Sequence, residues 1–420
     1  MAVSIKTTVA VALLALLDLQ PAHALDGRIV DATSGAGIAD ATVTVDGEAV
    51  TTSAAGNFHI DKSGERVLAR APGYRANASA TADFLKDGTV LQLTPFRPKA
   101  LYLSAYTMAY APKRDAALKL IAEGGLNAVV VDLKNDQGLV VYPTAVPTAA
   151  QIGARRVTTI RDLAVAVNRF HEQHLYAIAR IVVFKDNLLA TAHPDWAVHR
   201  DDGSIYRDNE GMAWIEAFHQ EARDYVIALA TEAARAGFDE VQFDYVRFPD
   251  SRHLKFSQES TEETRVDAIT TLLKQARKAL TPYNTYLSAD IFGYVCWNTD
   301  DTHIGQHLEN LVAAVDYVSP MLYPSGFQFG IRGYPDPVAQ PYEIVNRSLE
   351  HAKQRVKLPG VRFRPWLQDF RDYAFDRRDF GPAEVSAQIR AAEDADSDGW
   401  MIWNPRNVYS QISQIQTALK

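Results

Sequence analysis

Glu240-Val241-Gln242-Phe243-Asp244-Tyr245-Val246-Arg247-Phe248-Pro249 sets the architecture of the chain. Apolar and polar residues alternate, which predicts a strand over 240–246. Val241 and Phe243 then share one face, and Gln242 and Asp244 the other. A helical pattern over 219–235 precedes the strand, and another over 262–280 follows it. Outward in both directions the same alternation continues. Strands are expected over 100–107, 127–134, 176–184, 240–246, 286–292, 317–323, 362–370 and 399–404. Helices are expected over 113–123, 160–174, 219–235, 262–280, 304–312, 342–357, 382–394 and 408–419. The strands are apolar on both faces, as a parallel sheet covered by helices requires. The simplest closure of such a series is an α/β fold of the (β/α)8 TIM-barrel type. The rival, an open doubly wound sheet, lacks a Gly-rich phosphate turn after its first strand.

Loop lengths select one face of that barrel. Helix-to-strand connections are short, as at Gly124-Gly125-Leu126 and Ala236-Gly237-Phe238. Strand-to-helix connections over 135–159, 185–218, 247–263 and 324–341 are long. Long loops after strands build the catalytic face of such barrels. Side-chain parity then names the inward residues. If Val129, Val131 and Leu133 face the helices, Asp132 and Lys134 face the axis. By the same rule Arg180, Ser288, Asp290, Gln242 and Asp244 face inward. Tyr102, Ser104 and Tyr106 line the axis from the first strand, and Trp366 and Gln368 from the seventh. Carboxylates in a barrel mouth are costly unless paired or catalytic. Two of them can divide into a general acid and a nucleophile or base, as in glycoside hydrolysis. All six Trp lie beyond residue 195. Aromatic rings at strand ends suit the apolar faces of sugars. Trp297, Tyr323 and Trp366 are the candidates for that role, with packing expected to claim Trp400 or Trp403.

Composition narrows the rest. The 420 residues are 47% hydrophobic and 22% charged with a net charge of −8, which suits a globular chain and disfavours a nucleic-acid binder. Cys296 is the single cysteine, so neither an intrachain disulfide nor a Cys-rich zinc site is expected. No metal and no cofactor is expected. Lys6, the apolar run 9–17 and Ala22-His23-Ala24 form a Sec-type signal-peptide pattern over 1–24. A secreted or periplasmic product is the expectation, with no membrane-spanning segment after cleavage near Ala24.

Residues 25–94 read as a separate β module. Ala41-Thr42-Val43-Thr44-Val45 alternates, Asp46-Gly47 makes a hairpin turn, and Pro72-Gly73-Tyr74 makes another. A stiff linker, Pro95-Phe96-Arg97-Pro98-Lys99, leads into the barrel at 100–420. A barrel that closes its own sheet is expected to fold from Arg97 onward without the module. Asp394-x-Asp396-x-Asp398-Gly399 has the opening of a calcium loop. Pro405 stands where the bidentate Glu belongs, so a turn is expected. There is no H-E-x-x-H and no G-x-S-x-G, which argues against a zincin and an α/β-hydrolase.

Two resemblances add to this reading. The Asp31, 41–45, Gly56-x-Phe58 and Pro72-Gly73-Tyr74 features resemble a carboxypeptidase-regulatory-like β-sandwich. Val130-Val131-Asp132-Leu133-Lys134-x-Asp136-x-Gly138, Ala179-Arg180-Ile181-Val182-Val183-Phe184-Lys185-Asp186 and Phe243-Asp244-Tyr245-Val246-Arg247-Phe248-Pro249 resemble the putative glycosyl hydrolase family of bacterial TIM-barrel proteins, a domain-of-unknown-function group. Ser288-Ala289-Asp290-Ile291-Phe292-Gly293 and Ser319-Pro320-Met321 fit it too. The resemblance implies a glycoside hydrolase acting on a polysaccharide or cell-envelope glycan. It implies Asp244 as nucleophile, where amylase-like barrels carry theirs after the fourth strand, and Asp290 as general acid, with Asp132 as the competing candidate. Lys134, Arg180 and Arg247 would hold charge or substrate, and Tyr102, Trp297, Tyr323, Trp366 and Gln368 would line the sugar site. The alternative is a non-catalytic glycan-binding protein on a degenerate barrel.

Overall fold

The computed structural model describes residues 24–409. The signal-peptide pattern and the helix expected over 408–419 lie wholly or mostly outside them. Eight parallel strands close a barrel: β1 Lys99–Leu103, β2 Ala128–Lys134, β3 Tyr176–Val182, β4 Glu240–Asp244, β5 Tyr286–Phe292, β6 Tyr317–Met321, β7 Trp366–Gln368 and β8 Trp400–Trp403. The order around the barrel follows the chain, and β8 pairs with β1. The helices Glu262–Leu280 and Pro382–Asp394 match the expected bounds. Each begins with a device legible in the sequence. Thr261 caps the first through Thr264, and Pro382 occupies the first turn of the second.

Parity places the core as expected. Val129, Val131, Leu133, Val241, Phe243, Leu287 and Ala289 pack outward against the helices. Ala100, Val130, Ile178, Tyr286, Trp366 and Met401 face inward. The first strand is shorter than expected. Ser104 caps a helix, Ala105–Ala109, by accepting from the Thr107 amide. Tyr106 therefore sits on that helix, 60% exposed, and does not line the axis.

Charge also fills the barrel interior. Arg364 Nη1 lies 2.6 Å from Glu240 Oε2, and its Nη2 lies 2.5 Å from Asp398 Oδ2. Tyr176 and Ser288 donate to Glu240 as well, at 3.0 and 2.5 Å. All three charged residues are fully buried. Asp398 thus turns inward from the supposed calcium loop. Gly399 beside it takes φ +73°, with Pro98 O only 1.9 Å from where a Cβ would stand. Arg364→Met strands two acidic groups in this dry interior. The expected loss of stability is about 3–5 kcal/mol, read by chemical denaturation.

The N-terminal module is two small sheets around one core. One runs Asn57–Ile60, Leu25–Asp31, Val90–Leu93; the other runs Glu48–Thr51, Thr42–Val45, Arg66–Arg70, Asn77–Ala80. Ile29, Val43, Val45, Phe58, Val67 and Phe84 fill the space between them. Asp46 and Gly47 both take positive φ, 46° and 77°, as the primed hairpin turn demands.

The module sits against the strand-start end of the barrel. Tyr286 Oη meets the Ala71 amide and carbonyl at 3.2 and 2.9 Å, and Tyr317 Oη accepts from the Gly73 amide at 3.1 Å. Asn284 donates to Ala69 O and Asn77 O. Arg70 lies 3.9 Å from Asp316. The supposed linker is packed as well: Phe96 stacks near Tyr176 under the Arg75 guanidinium, and Lys99 already belongs to β1. These contacts tie the module to the barrel. A chain beginning at Arg97 uncovers Tyr176, Tyr286 and Tyr317 together. It should melt lower than the chain from Leu25 onward, by on the order of 5 °C or more; equal melting temperatures would show a barrel that is stable without the module.

Candidate active site

The ends of β3, β4 and β5 converge on one cavity of about 160 Å³. Arg180, Asp244, Arg247, Asp290, Tyr323 and Trp366 contribute to its wall, as do Tyr245, Phe292, Met321 and Trp403. The volume is below that of most drug-sized ligand pockets, so a single ring fits it better than several.

Asp244 closes β4 and is 7% exposed. Its Oδ2 accepts from Arg180 Nε at 3.0 Å and Nη2 at 2.5 Å, and its Oδ1 accepts from the Tyr245 amide at 2.6 Å. Three N–H groups thus fix the carboxylate in place. Tyr245 takes φ +50°, which is rare for a bulky residue. The left-handed turn stops the strand at Asp244 and brings the Tyr245 ring back to the cavity wall. Such costly backbone collects at functional sites.

Asp290 stands on the neighbouring strand and is 2% exposed. Among the described residues, only Trp366 Nε1 donates to its side chain, at 2.8 Å. Burial pushes its carboxyl well above the usual range, and the nearby Asp244 charge adds to the rise. Gln306 ties the two strand ends together, donating to Asp290 O and Val246 O and accepting from the Phe292 amide. Two carboxyls in one cavity therefore have opposed surroundings, one rich in donors and the other nearly without them.

Asp132 lies behind Arg180. It accepts from Arg180 Nη1 at 2.6 Å and from Tyr102 Oη at 2.5 Å. Burial raises its pKa, against the pull of Arg180. Its contact with Nη1 holds the guanidinium whose Nε and Nη2 reach Asp244. Tyr102 stacks on Trp403 with ring centres 3.9 Å apart, and Arg180 lies 4.9 Å above the Trp403 ring. Packing is the expectation for Trp400 or Trp403, but Trp403 shares the inward parity of Met401 and stands in the cavity wall.

Three expected site residues lie elsewhere. Lys134 is fully buried, with Nζ 2.9 Å from Asp186 and 2.6 Å from Val182 O. A register shift between Arg180 and Ile181 moves the end of β2 out of simple alternation. Asp186 in turn caps the helix Asn187–Ala192 and presses against Gly138, whose φ is +91°. Lys134 therefore braces a loop and does not reach the mouth. Trp297 follows a 3₁₀ turn, donates to Ser348 and stacks on His351. Gln368 has the expected parity but is covered, bonded to Ser325, Phe370 O and the Gln388 side chain and fully buried. Asp369 is held by the Asn404 amide away from the cavity, and burial lifts its pKa to about 7. Among the described residues, no group of three or more His, Cys, Asp or Glu is arranged to hold a metal ion, and no helix is long and apolar enough to cross a membrane.

Comparison with known proteins adds the family context. A family model described as "Putative glycosyl hydrolase domain" matches residues 100–409. A search of curated proteins finds none that matches. A hypothetical protein from Ruminiclostridium thermocellum is 33% identical over 45% of this chain and 96% of its own, with a TM-score of 0.41. The PgaB (BpsB) glycoside hydrolase domain from Bordetella bronchiseptica is 12% identical over 77% of this chain and 99% of its own, with a TM-score of 0.54. The β-galactosidase of the psychrophilic Marinomonas ef1 is 10% identical over 77% of this chain and 58% of its own, with a TM-score of 0.56. These last two likenesses are likenesses of fold.

Proposed function

Because the chain belongs to the family described as "Putative glycosyl hydrolase domain", matched over residues 100–409, we propose that it cleaves O-glycosidic bonds of a polysaccharide or cell-envelope glycan. Asp290 is the general acid, and Asp244 is the nucleophile or stabilising carboxylate. The observation that carries this reading is the contrast between the two carboxyls in one cavity. Asp244 accepts from three donors, whereas among the described residues Asp290 accepts from Trp366 alone, and it is pushed toward its protonated form. A protonated carboxyl can give its proton to the leaving glycosidic oxygen. An ionised one on the neighbouring strand can meet the developing positive charge at the sugar carbon. Arg180 holds Asp244 in place, and Asp132 with Tyr102 holds Arg180. Trp366 and Trp403, set edge to face at 5.5 Å, offer apolar ring surface to the sugar.

The leader-like pattern at the N-terminus supports export, so the substrate is sought outside the cytoplasm. The test is release of reducing ends from a panel of envelope polysaccharides by the wild type and by Asp244→Asn. Release by the wild type alone supports hydrolysis. Retention of a glycan without release from any polymer favours the binding-only alternative.

A further inference from the structure

The cavity holds two arginines, and they differ in one respect. Arg180 is matched by two carboxylates, Asp132 at 2.6 Å and Asp244 at 2.5 Å. Arg247 has no carboxylate within 4.0 Å among the described residues. Its one hydrogen bond goes from Nη1 to the Phe248 carbonyl at 3.0 Å. The guanidinium is clamped by three rings instead, 4.3 Å from the centre of Phe292, 4.8 Å from Trp214 and 5.3 Å from Tyr245. Only 8% of the residue is exposed, and it lines the cavity wall beside Asp244 and Asp290. The other fully buried arginine of the barrel interior, Arg364, has two acidic partners.

A buried cation without a counter-ion is costly. Aromatic faces recover part of that cost, but they leave the edge of the guanidinium fork unused. Burial indeed pulls the Arg247 pKa below its usual value. A neutral sugar supplies hydroxyls to such a fork, whereas a carboxylate supplies the missing charge and matches its paired N–H geometry. Asp132 and Asp244 are both engaged by Arg180, and Asp290 is held toward its neutral form, so none of the three meets Arg247 directly.

We infer that the sugar bound in this cavity carries a carboxylate, as a uronic acid does, and that Arg247 is the residue that selects it. The inference deepens the proposed hydrolase reading and rests on the same cavity. Arg247 recognises the substrate and takes no part in proton transfer.

The experiment uses uronic-acid polysaccharides, such as polygalacturonate, alginate and glucuronate-containing envelope polymers, each paired with its own carboxyl-reduced form. Binding and reducing-end release are measured for the mature wild type, Arg247→Met, Arg247→Lys and Asp244→Asn. The wild type should prefer at least one native polymer over its reduced form by tenfold or more. Arg247→Met should bring that ratio close to one, and Arg247→Lys should leave an intermediate ratio, since it keeps the charge and loses the fork. Asp244→Asn should keep the binding preference while losing release. Circular dichroism and thermal melts identify any variant that fails to fold, and the lysine variant then carries the comparison. Equal affinity for native and reduced polymers, an unchanged ratio in a folded Arg247→Met, or no retention of any acidic polymer overturns the inference. Release from neutral glycans alone overturns it and leaves hydrolysis standing. Preferential binding of acidic polymers without release supports it and counts against the hydrolase reading.

Discussion

Asp244→Asn lowers glycosidic turnover by on the order of 10³-fold or more, with the fold intact. The substitution keeps the shape of the side chain and removes its charge. The amide oxygen can accept from the Tyr245 amide or from Arg180 but not from both, so the side chain turns to the better arrangement and water meets the donors left over. Arg180 is not stranded, because Asp132 remains 2.6 Å from its Nη1. This arrangement separates the chemical role of Asp244 from a structural one. A carboxylate whose main task is to neutralise a buried arginine costs about 3–5 kcal/mol when it is removed. A catalytic carboxylate costs little stability or even relieves strain. The expected pair of results is therefore a lost rate and a melting temperature within a few degrees of the wild type. The two measurements are reducing-end release on whichever polymer the wild type cleaves, and a thermal melt. Unchanged release from a folded variant removes Asp244 from the mechanism. A large fall in melting temperature makes its pairing with Arg180 its principal role.

Much of this site could be read from alternation alone, because a strand buried on both faces leaves its parity in the sequence. On β4 and β5 the rule places Asp244 and Asp290 correctly, and on β3 it places Arg180. It also predicts Phe292, two residues beyond Asp290, which the reading passed over. The rule fails where backbone geometry changes. Lys134 lies past the register shift beside Arg180, so its side chain leaves the mouth and braces Asp186. Tyr106 lies past the end of β1, on a helix that begins at Ser104. Tyr245 reaches the cavity wall only because its φ is +50°, and nothing in local propensity announces a tyrosine in that conformation. Gln368 shows the limit of parity itself. The residue has the expected parity, but the 324–341 loop supplies Ser325 to engage its side chain, and Gln388 of the helix Pro382–Asp394 bonds its backbone. Contacts between segments far apart in the chain decide such cases. The packing of the β module against Tyr286 and Tyr317 is of the same kind. The sequence marks a boundary near residue 97 but does not reveal that the two sides touch.

Asp290→Asn should remove the acid and leave the rest of the cavity in place. Trp366 Nε1 can donate to the amide oxygen as it does to Oδ1, and the Gln306 contacts are to backbone. Loss of a general acid lowers turnover by roughly 10²–10⁴-fold when the leaving group needs a proton. An activated aryl glycoside, whose phenolate departs without one, should be affected far less. That contrast separates the acid from the nucleophile, since Asp244→Asn should suppress both substrates. The pH profile gives an independent test. Burial and the Asp244 charge raise the Asp290 pKa above the carboxylate range, so its acid form persists as pH rises past the point where an exposed Asp ionises. The rate should then fall as pH climbs through the raised value, and this alkaline limb should vanish from the residual activity of the variant. Stability follows the same sign. The folded state keeps a proton that the unfolded chain releases near pH 4, so the wild type loses stability as pH rises from there through the raised pKa. Asp290→Asn has no such proton to lose, and its melting temperature should gain on the wild type between pH 4 and pH 8. Melting curves that run parallel across that range, together with an equal rate loss on activated and unactivated substrates, would take Asp290 out of the acid role.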